Sequence, residues 1–436
     1  MNNKIILTII FFSFFALVRG QENSWPLTKC IETALQNNLE IKIRQLEIKR
    51  TQKSQNSVLN RMLPIVDLTG QQSYNFGSTI DPASNGRVSS NIQNDNFYLN
   101  ARTNLIDFSA FANAKKDKIT IELAKADKEV IENEYKLQIL ESFYQALYVQ
   151  ELLKIQKEQF KQAVFNLDRV TKEVAIGSKP QSDLYDMQLS FAEEENRNLE
   201  SEQLYGIKKL QLFQLMNATA IATEEVVLVN ALNESAANDL ENTINNPKIQ
   251  RAELRYQNSL KSVNLERANN LPVLSAYYGY STFYYTILNN PTGNTDSFKN
   301  QLADNKNQQV GIQMNVPIFN GFRNNKKITA SKIESEKSKQ TIEQEKQELD
   351  KQIALEEQNK KNYLQLQKKL NEKQQYAKAS LNTTQAKFTN GKVEAILYSS
   401  VKNQLLSAEY DVLKNGLQLQ YISLKINLLK YNSLKI

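Results

Sequence analysis

The sequence predicts a mainly α-helical chain with a small β part, in which long coiled-coil hairpins and four β-strands are written as a tandem internal repeat. Three observations carry that prediction. The stretch "NLIDFSAFANAKK" at Asn104–Lys116 returns as "NVPIFNGFRNNKK" at Asn315–Lys327, keeping the Asn, two Phe, a second Asn and the paired Lys. Long segments free of Pro and Gly carry a narrow apolar seam. Short segments alternate strictly between apolar and polar residues.

The chain opens with Lys4, an apolar run from Ile5 to Val18 and the small residue Gly20, which predicts a signal peptide over 1–20. That run is shorter than the roughly 20 residues a membrane-spanning helix needs, and no later segment reaches such a length. No transmembrane helix is therefore expected in the mature chain. The full sequence carries +7 net charge, spread over Lys/Glu/Gln-rich stretches that read as solvated helix faces. No nucleic-acid partner is expected. Cys30 is the only cysteine, so no intrachain disulfide can form, and Thr28 and Lys29 before it do not make a lipidation site. With no histidine in 436 residues, imidazole catalysis and His metal sites are excluded. No phosphate-binding glycine loop is present either. Neither an enzyme nor a cofactor is expected.

The first repeat covers 21–217 and the second 245–436. "NNLEIKIRQLEIKRTQKSQNSVLNRMLP" from Asn37 matches "NNPKIQRAELRYQNSLKSVNLERANNLP" from Asn245. Each repeat opens with a helix and continues into a strand pair, at 65–77 and 96–106 in the first and at 273–286 and 308–318 in the second. Val66, Leu68, Tyr74 and Phe76 alternate with polar neighbours, as do Phe97, Leu99, Ala101 and Leu105. Val310, Ile312, Met314 and Val316 do the same in the second copy. Such strands have one apolar and one wet face, which makes Arg102 a charge on the wet, lumen-facing side. Tyr277, Tyr278, Tyr280, Phe283, Tyr284 and Tyr285 fit a bilayer-interface belt. Polar loops from Ser78 and from Ile287 join the strands of each pair.

Long hairpins follow, over 108–217 and 320–432. In the first, Leu123, Val130, Leu137, Leu140, Tyr144 and Leu147 form the seam, and in the second Ile342, Leu349, Ile353 and Leu364 do. Gly177 and Gly391 each close a hairpin where a positive φ is needed, and Pro180 sits just inside the returning helix. Between the repeats, 218–244 is polar and less periodic.

Four strands cannot close a barrel, and open sheet edges are not tolerated in hydrocarbon. Spanning barrels start near eight strands, so the chain must associate with itself. Two, three or four copies would all close.

Taken together, "VPIFNGF" (Val316–Phe322), "AIGSKPQSDL" (Ala175–Leu184), "FTNGKVEAIL" (Phe388–Leu397) and the strand–helix duplication resemble the TolC-like outer-membrane efflux proteins across nearly all of the mature chain. The resemblance implies a homotrimer whose twelve-stranded β-barrel sits in the lipid of a Gram-negative outer membrane. It implies a helical tunnel in the periplasm, with 218–244 as its equatorial segment. It further implies a passive exit duct for a tripartite efflux or type I secretion system, docking to a periplasmic adaptor protein and an inner-membrane transporter. The hairpin-tip turns, Ile176, Gly177 and Ser178 with Asn390, Gly391 and Lys392, are the expected adaptor contact. Pro317, Phe319, Gly321 and Phe322, matched by Phe108 and Phe111, mark the strand-to-helix transition, where Asn320 is expected to cap. The family's acidic ring on the second returning helix is replaced here by Leu397 and Ser400, and its Arg near that tip by Val393. Asp183 and Asp186, three apart past Gly177, are the candidate tunnel-tip constriction; the plain alternative is two first-turn aspartates favoured by the helix dipole. A soluble periplasmic coiled-coil adaptor would explain the hairpins but not the two strand pairs.

Overall fold

The computed structural model describes residues 23–80, 85–89, 91–218, 226–230, 244–288 and 296–434. The expected signal peptide lies outside the described residues. The strands are β1 (Asn23–Pro26), β2 (Ile65–Asn75), β3 (Ser78–Ile80), β4 (Arg87–Ser89), β5 (Ile92–Asp107), β6 (Val226–Val229), β7 (Val273–Ile287) and β8 (Asn307–Asn315). The helices are α1 (Leu27–Asn37), α2 (Leu39–Ser54), α3 (Val58–Arg61), α4 (Phe108–Ala175), α5 (Gln181–Leu215), α6 (Pro247–Ala268), α7 (Phe298–Asp304), α8 (Arg323–Thr389) and α9 (Ala395–Tyr431). Two compact units result, and each draws on both repeats. One comprises Met1–Leu46, Ala126–Arg251 and Glu343–Ile436, and the other Glu47–Lys125 and Ala252–Ile342.

The second unit holds an antiparallel four-stranded sheet in the order β2-β5-β7-β8. Its strands start and stop away from the expected bounds. β5 begins at Ile92, and β3 and β4 pair as a small hairpin within the expected polar loop. β8 ends at Asn315, before Pro317. The register of β5 shifts between Asn104 and Ile106, so Ile106 rather than Leu105 continues the alternation. That bulge is the extra residue a period-two reading cannot see.

A second departure is α7, which stands in the expected loop after β7. Its buried Gln301 acts as a strand. The Gln301 amide accepts from Tyr285 N–H at 3.0 Å and donates to the Tyr285 carbonyl at 3.0 Å. Thr282 Oγ1 and Asn305 Nδ2 add bonds at 2.8 and 2.9 Å between the same two segments. α7 thus satisfies the part of the β7 edge that β8, which pairs only from Val273 to Ser281, does not reach.

The first unit is helical, and its largest core buries Ile139, Leu140, Phe143, Leu147, Leu212 and Leu428. The seam expected on α4 is buried at Val130, Leu140, Tyr144 and Leu147, and on α8 at Ile342, Leu349 and Ile353, but Leu364 is 55% exposed. α1 buries Leu27, Cys30, Ile31 and Ala34, one helical stripe. Burial pushes the Cys30 thiol up to about 12, with Lys29 a minor opposing influence. The N-terminal segment and the inter-repeat segment meet as strands, β1 pairing in parallel with β6. Trp25 on β1 packs 5.0 Å from Phe213. Here too an amide completes a sheet. Gln150 donates to the Leu228 carbonyl and accepts from Leu228 N–H, both at 2.8 Å, while Tyr205 donates to the same Oε1 at 2.8 Å. The end of α9 is closed by asparagines: Asn432 adopts φ 51°, Asn133 Nδ2 donates to the Leu428 carbonyl at 3.2 Å and Asn246 Nδ2 to the Leu429 carbonyl at 2.8 Å.

Gln150→Leu strands a buried N–H and a buried carbonyl, each worth about 1–3 kcal/mol when unpaired. Native-state hydrogen exchange should show the Leu228 amide losing roughly 2 kcal/mol of protection, with helix amides distant from β6 unchanged.

Candidate functional site

Both hairpin tips are built alike. In the first, Gly177 N–H donates to the Val174 carbonyl at 2.9 Å and Ser178 N–H to the Glu173 carbonyl at 2.8 Å. In the second, Gly391 N–H donates to Phe388 at 3.1 Å and Lys392 N–H to Lys387 at 2.8 Å. These are Schellman closures, with the glycines at φ 73° and 67° where a Cβ is disfavoured. Ile176 is left 80% exposed.

Behind the turns, a cluster the sequence did not disclose joins the two hairpins. Phe388 is fully buried and stacks on Tyr398 at 4.8 Å. Lys179 Nζ lies 4.0 Å and Arg169 Cζ 5.0 Å from the centre of the Phe388 ring. Asn166 Nδ2 donates to Tyr398 Oη at 3.2 Å.

This cluster separates the two aspartates expected to act together. Asp183 is 6% exposed and its Oδ2 accepts from Lys179 Nζ at 3.2 Å, both side chains being buried. That carboxylate is thus engaged within its own hairpin rather than open to solvent. Asp186 is half-buried and faces a groove between α5 and α9, which Glu193, Ser399 and Ser400 also line. The i,i+4 spacing of Lys179 and Asp183 was the available signal for the pair.

The strand-to-helix transitions, alike in sequence, differ in structure. In the first, Asp107 ends β5 and its Oδ1 accepts from Ser109 N–H at 2.9 Å and Ala110 N–H at 3.1 Å, so α4 starts at Phe108. The aligned residue in the second repeat is Ile318, which has no acceptor. There the chain turns through Gly321 (φ 66°) and Phe322 (φ 60°) before α8 starts at Arg323. Asn320 does not cap through its side chain; its carbonyl accepts from Arg323 N–H at 3.5 Å. A phenylalanine at positive φ is strained, and edge-to-face contact with Phe319 at 5.4 Å offsets part of that cost. Ile318 is 94% exposed, and Phe108, Phe111, Phe319 and Phe322 are also exposed.

In the sheet, residues paired across strands share a face. Val66, Ala101, Tyr278 and Val310 form one row, with Leu68, Leu99 and Tyr280 above and Ile312 and Met314 below. The opposite face carries Asp67, Asn100, Arg102, Ser275, Gln309 and Gln313. Arg102 Nη2 donates to Ser275 Oγ at 3.2 Å. The β7 aromatics divide evenly, with Tyr277, Phe283 and Tyr285 on the polar face and Tyr278, Tyr280 and Tyr284 on the apolar one. Tyr277 lies over Gly311, where a Cβ would stand 2.6 Å from its hydroxyl. Among the described residues the outer edges of β2 and β8 pair with no strand. No described helix is long and apolar enough to cross a membrane, which says nothing of a barrel.

This architecture is that of solved outer-membrane channels. It is similar to CusC, with a TM-score of 0.75 over 93% of this chain and 92% of the other at 15% identity. It is similar to VceC from Vibrio cholerae, with a TM-score of 0.71 over 92% and 94% at 14% identity. It is also similar to CmeC from Campylobacter jejuni, with a TM-score of 0.70 over 92% and 85% at 12% identity. At such identities the likeness is one of fold. Residues 30–218 and 241–429 match the outer membrane efflux protein family, once per repeat, and the chain belongs to that family. No curated protein matches the sequence.

Lys179→Met leaves the Asp183 carboxylate buried without its partner, a loss of about 3–5 kcal/mol. The expected outcome is faster hydrogen exchange of the tip amides in Lys179→Met, largely reversed when Asp183→Asn is added.

Proposed function

We propose that three copies close a twelve-stranded barrel in the outer membrane and form the passive exit duct of a tripartite efflux or type I secretion system. The observation that carries this reading is a sheet with one apolar face, one polar face and two bare edges. Strands alternate in direction from β2 to β8, so β8 of one copy meets β2 of the next antiparallel, as every interior ladder does. Leu274 to Thr282 is eight residue steps, about 27 Å along the strand at ~3.4 Å per residue, before the row of Gln72, Asp95 and Tyr284 turns polar. Tilted by about 40°, it covers roughly 21 Å, close to the ~25 Å apolar band of such barrels. The exposed Phe108, Phe111, Phe319 and Phe322 then lie at the inner membrane–water boundary, where aromatic rings are favoured.

The polar face lines the lumen, and Arg102 supplies three cationic charges to it. The tips at Ile176–Ser178 and Asn390–Lys392 are the contact for a periplasmic adaptor and, through it, an inner-membrane transporter. Asp186 and Glu193 take the constriction role first considered for the Asp183–Asp186 pair. No chemistry is asked of the chain, since the partner pump supplies the energy. A soluble adaptor would leave the apolar sheet face and both edges unexplained.

The test is the mass and conductance of protein extracted from separated membranes. A trimer from the outer-membrane fraction that conducts ions in planar bilayers is expected, and a water-soluble, non-conducting monomer would sink the reading. In the conducting trimer, Asp186→Asn with Glu193→Gln should lower cation selectivity and weaken divalent-cation block several-fold, whereas Lys179→Met with Asp183→Asn, which removes both buried charges, should leave both nearly unchanged.

A further inference from the structure

The buried seam of α5 is polar where a coiled coil is normally apolar. Between the tip and Leu212, α5 buries Asp183, Met187, Glu194, Ser201 and Lys209, of which only Met187 is apolar. α9 buries Val401, Lys402, Leu405 and Leu406 over the same region. An aliphatic seam selects register weakly, because a slide by one turn exchanges one aliphatic side chain for another.

One interaction does select it. Glu194 is 2% exposed and Lys402 6%, and Lys402 Nζ donates to Glu194 Oε1 at 3.3 Å. The pair joins a helix of the first repeat to a helix of the second. Arg197 Nη1 stands 3.6 Å from the same oxygen and donates to Asn403 Oδ1 at 3.1 Å. Glu194 Oε2 has no hydrogen-bond partner. A one-turn slide would bring Tyr398, or Leu405 and Leu406, to the place of Lys402 and leave two charges buried apart. Alongside the pair the helices do not pack closed: Asp186, Ser190 and Glu193 face Ser399, Asn403 and Ser407 across a groove of about 540 Å³. The other polar link across that stretch is the bond from the half-buried Arg197 to Asn403.

We propose that Glu194 and Lys402 are positioning residues that fix the register of α9 on α5, and with it the width of the groove and of the passage at the tip. The link to the passage rests on the duct reading; the link to the groove does not. Buried ion pairs of this kind add little net stability against apolar replacements, yet they penalise every alternative alignment.

The experiment separates register from stability. Spin labels at Ser190→Cys and Ser399→Cys, in full-length protein diluted with unlabelled chain, report the groove width by pulsed electron resonance. The apolar variant Glu194→Met with Lys402→Leu should unfold no earlier than the parent. Its label distances should nevertheless broaden or split, and its conductance should change at least twofold. Lys402→Arg should keep one narrow distance. Glu194→Gln, close to isosteric, should broaden the distribution less than the double variant and serves if the double variant does not fold. Parent-like narrow distances in a folded variant lacking the charge pair would overturn the proposal. Broadened distances in protein that never conducts would uphold the register role and overturn the duct reading instead.

Discussion

Everything in the sheet unit depends on where backbone hydrogen bonds end. The four-stranded sheet holds three ladders, and among the described residues the outer edges of β2 and β8 pair with no strand. Water would satisfy such groups, but hydrocarbon would leave each at a cost of several kcal/mol. The chain also shows that it can cover an edge when the edge is not needed, because Gln301 on α7 bonds the stretch of β7 beyond the reach of β8. The edges left open are the two that a neighbouring copy requires. On the duct reading, self-association is thereby built into the distribution of donors and acceptors, and the apolar rows from Leu274 to Thr282 face the lipid.

The same economy of amide groups recurs in the helical unit. Gln150 does for β6 what Gln301 does for β7. Asn133 and Asn246 help close α9, donating to the Leu428 and Leu429 carbonyls, the first of which also accepts from Asn432 N–H. In each case a short polar side chain replaces a strand or a helical turn that the chain has no room to continue. Because the bonds are buried, these glutamines and asparagines set where the elements stop as firmly as apolar packing sets where they lie.

The large features were legible because they are periodic. Alternation announced the four strands, sevens announced the hairpins, and repetition announced the duplication. What escaped was set by single residues or distant pairings. The β5 bulge moves one residue, Leu105, out of phase. β6 is four residues long and depends on a parallel partner two hundred positions away. α7 hides in a loop composition rich in Asn and Asp. Helix position alone does not distinguish a carboxylate on a solvated face from one, like Asp183, that is buried with Lys179 behind it. Seam positions failed similarly: Leu364 fits the spacing but lies on a face that this chain leaves open, whereas Glu194, the least apolar of choices, is inside.

The two repeats finally show how far one pattern can diverge while serving one architecture. Phe108 and Phe319 align, as do Phe111 and Phe322, but Asp107 aligns with Ile318. With the carboxylate present, the first free N–H groups are capped and the helix starts at once. Without it, the helix begins four aligned positions later, after a glycine and a strained phenylalanine carry the chain round the corner. One substitution exchanges a capped corner for a left-handed one, and an acid for an apolar side chain almost wholly exposed in the single chain. On the duct reading the pattern "FxxF" serves alike in both repeats, because its rings reach the membrane boundary whichever backbone route brings them there.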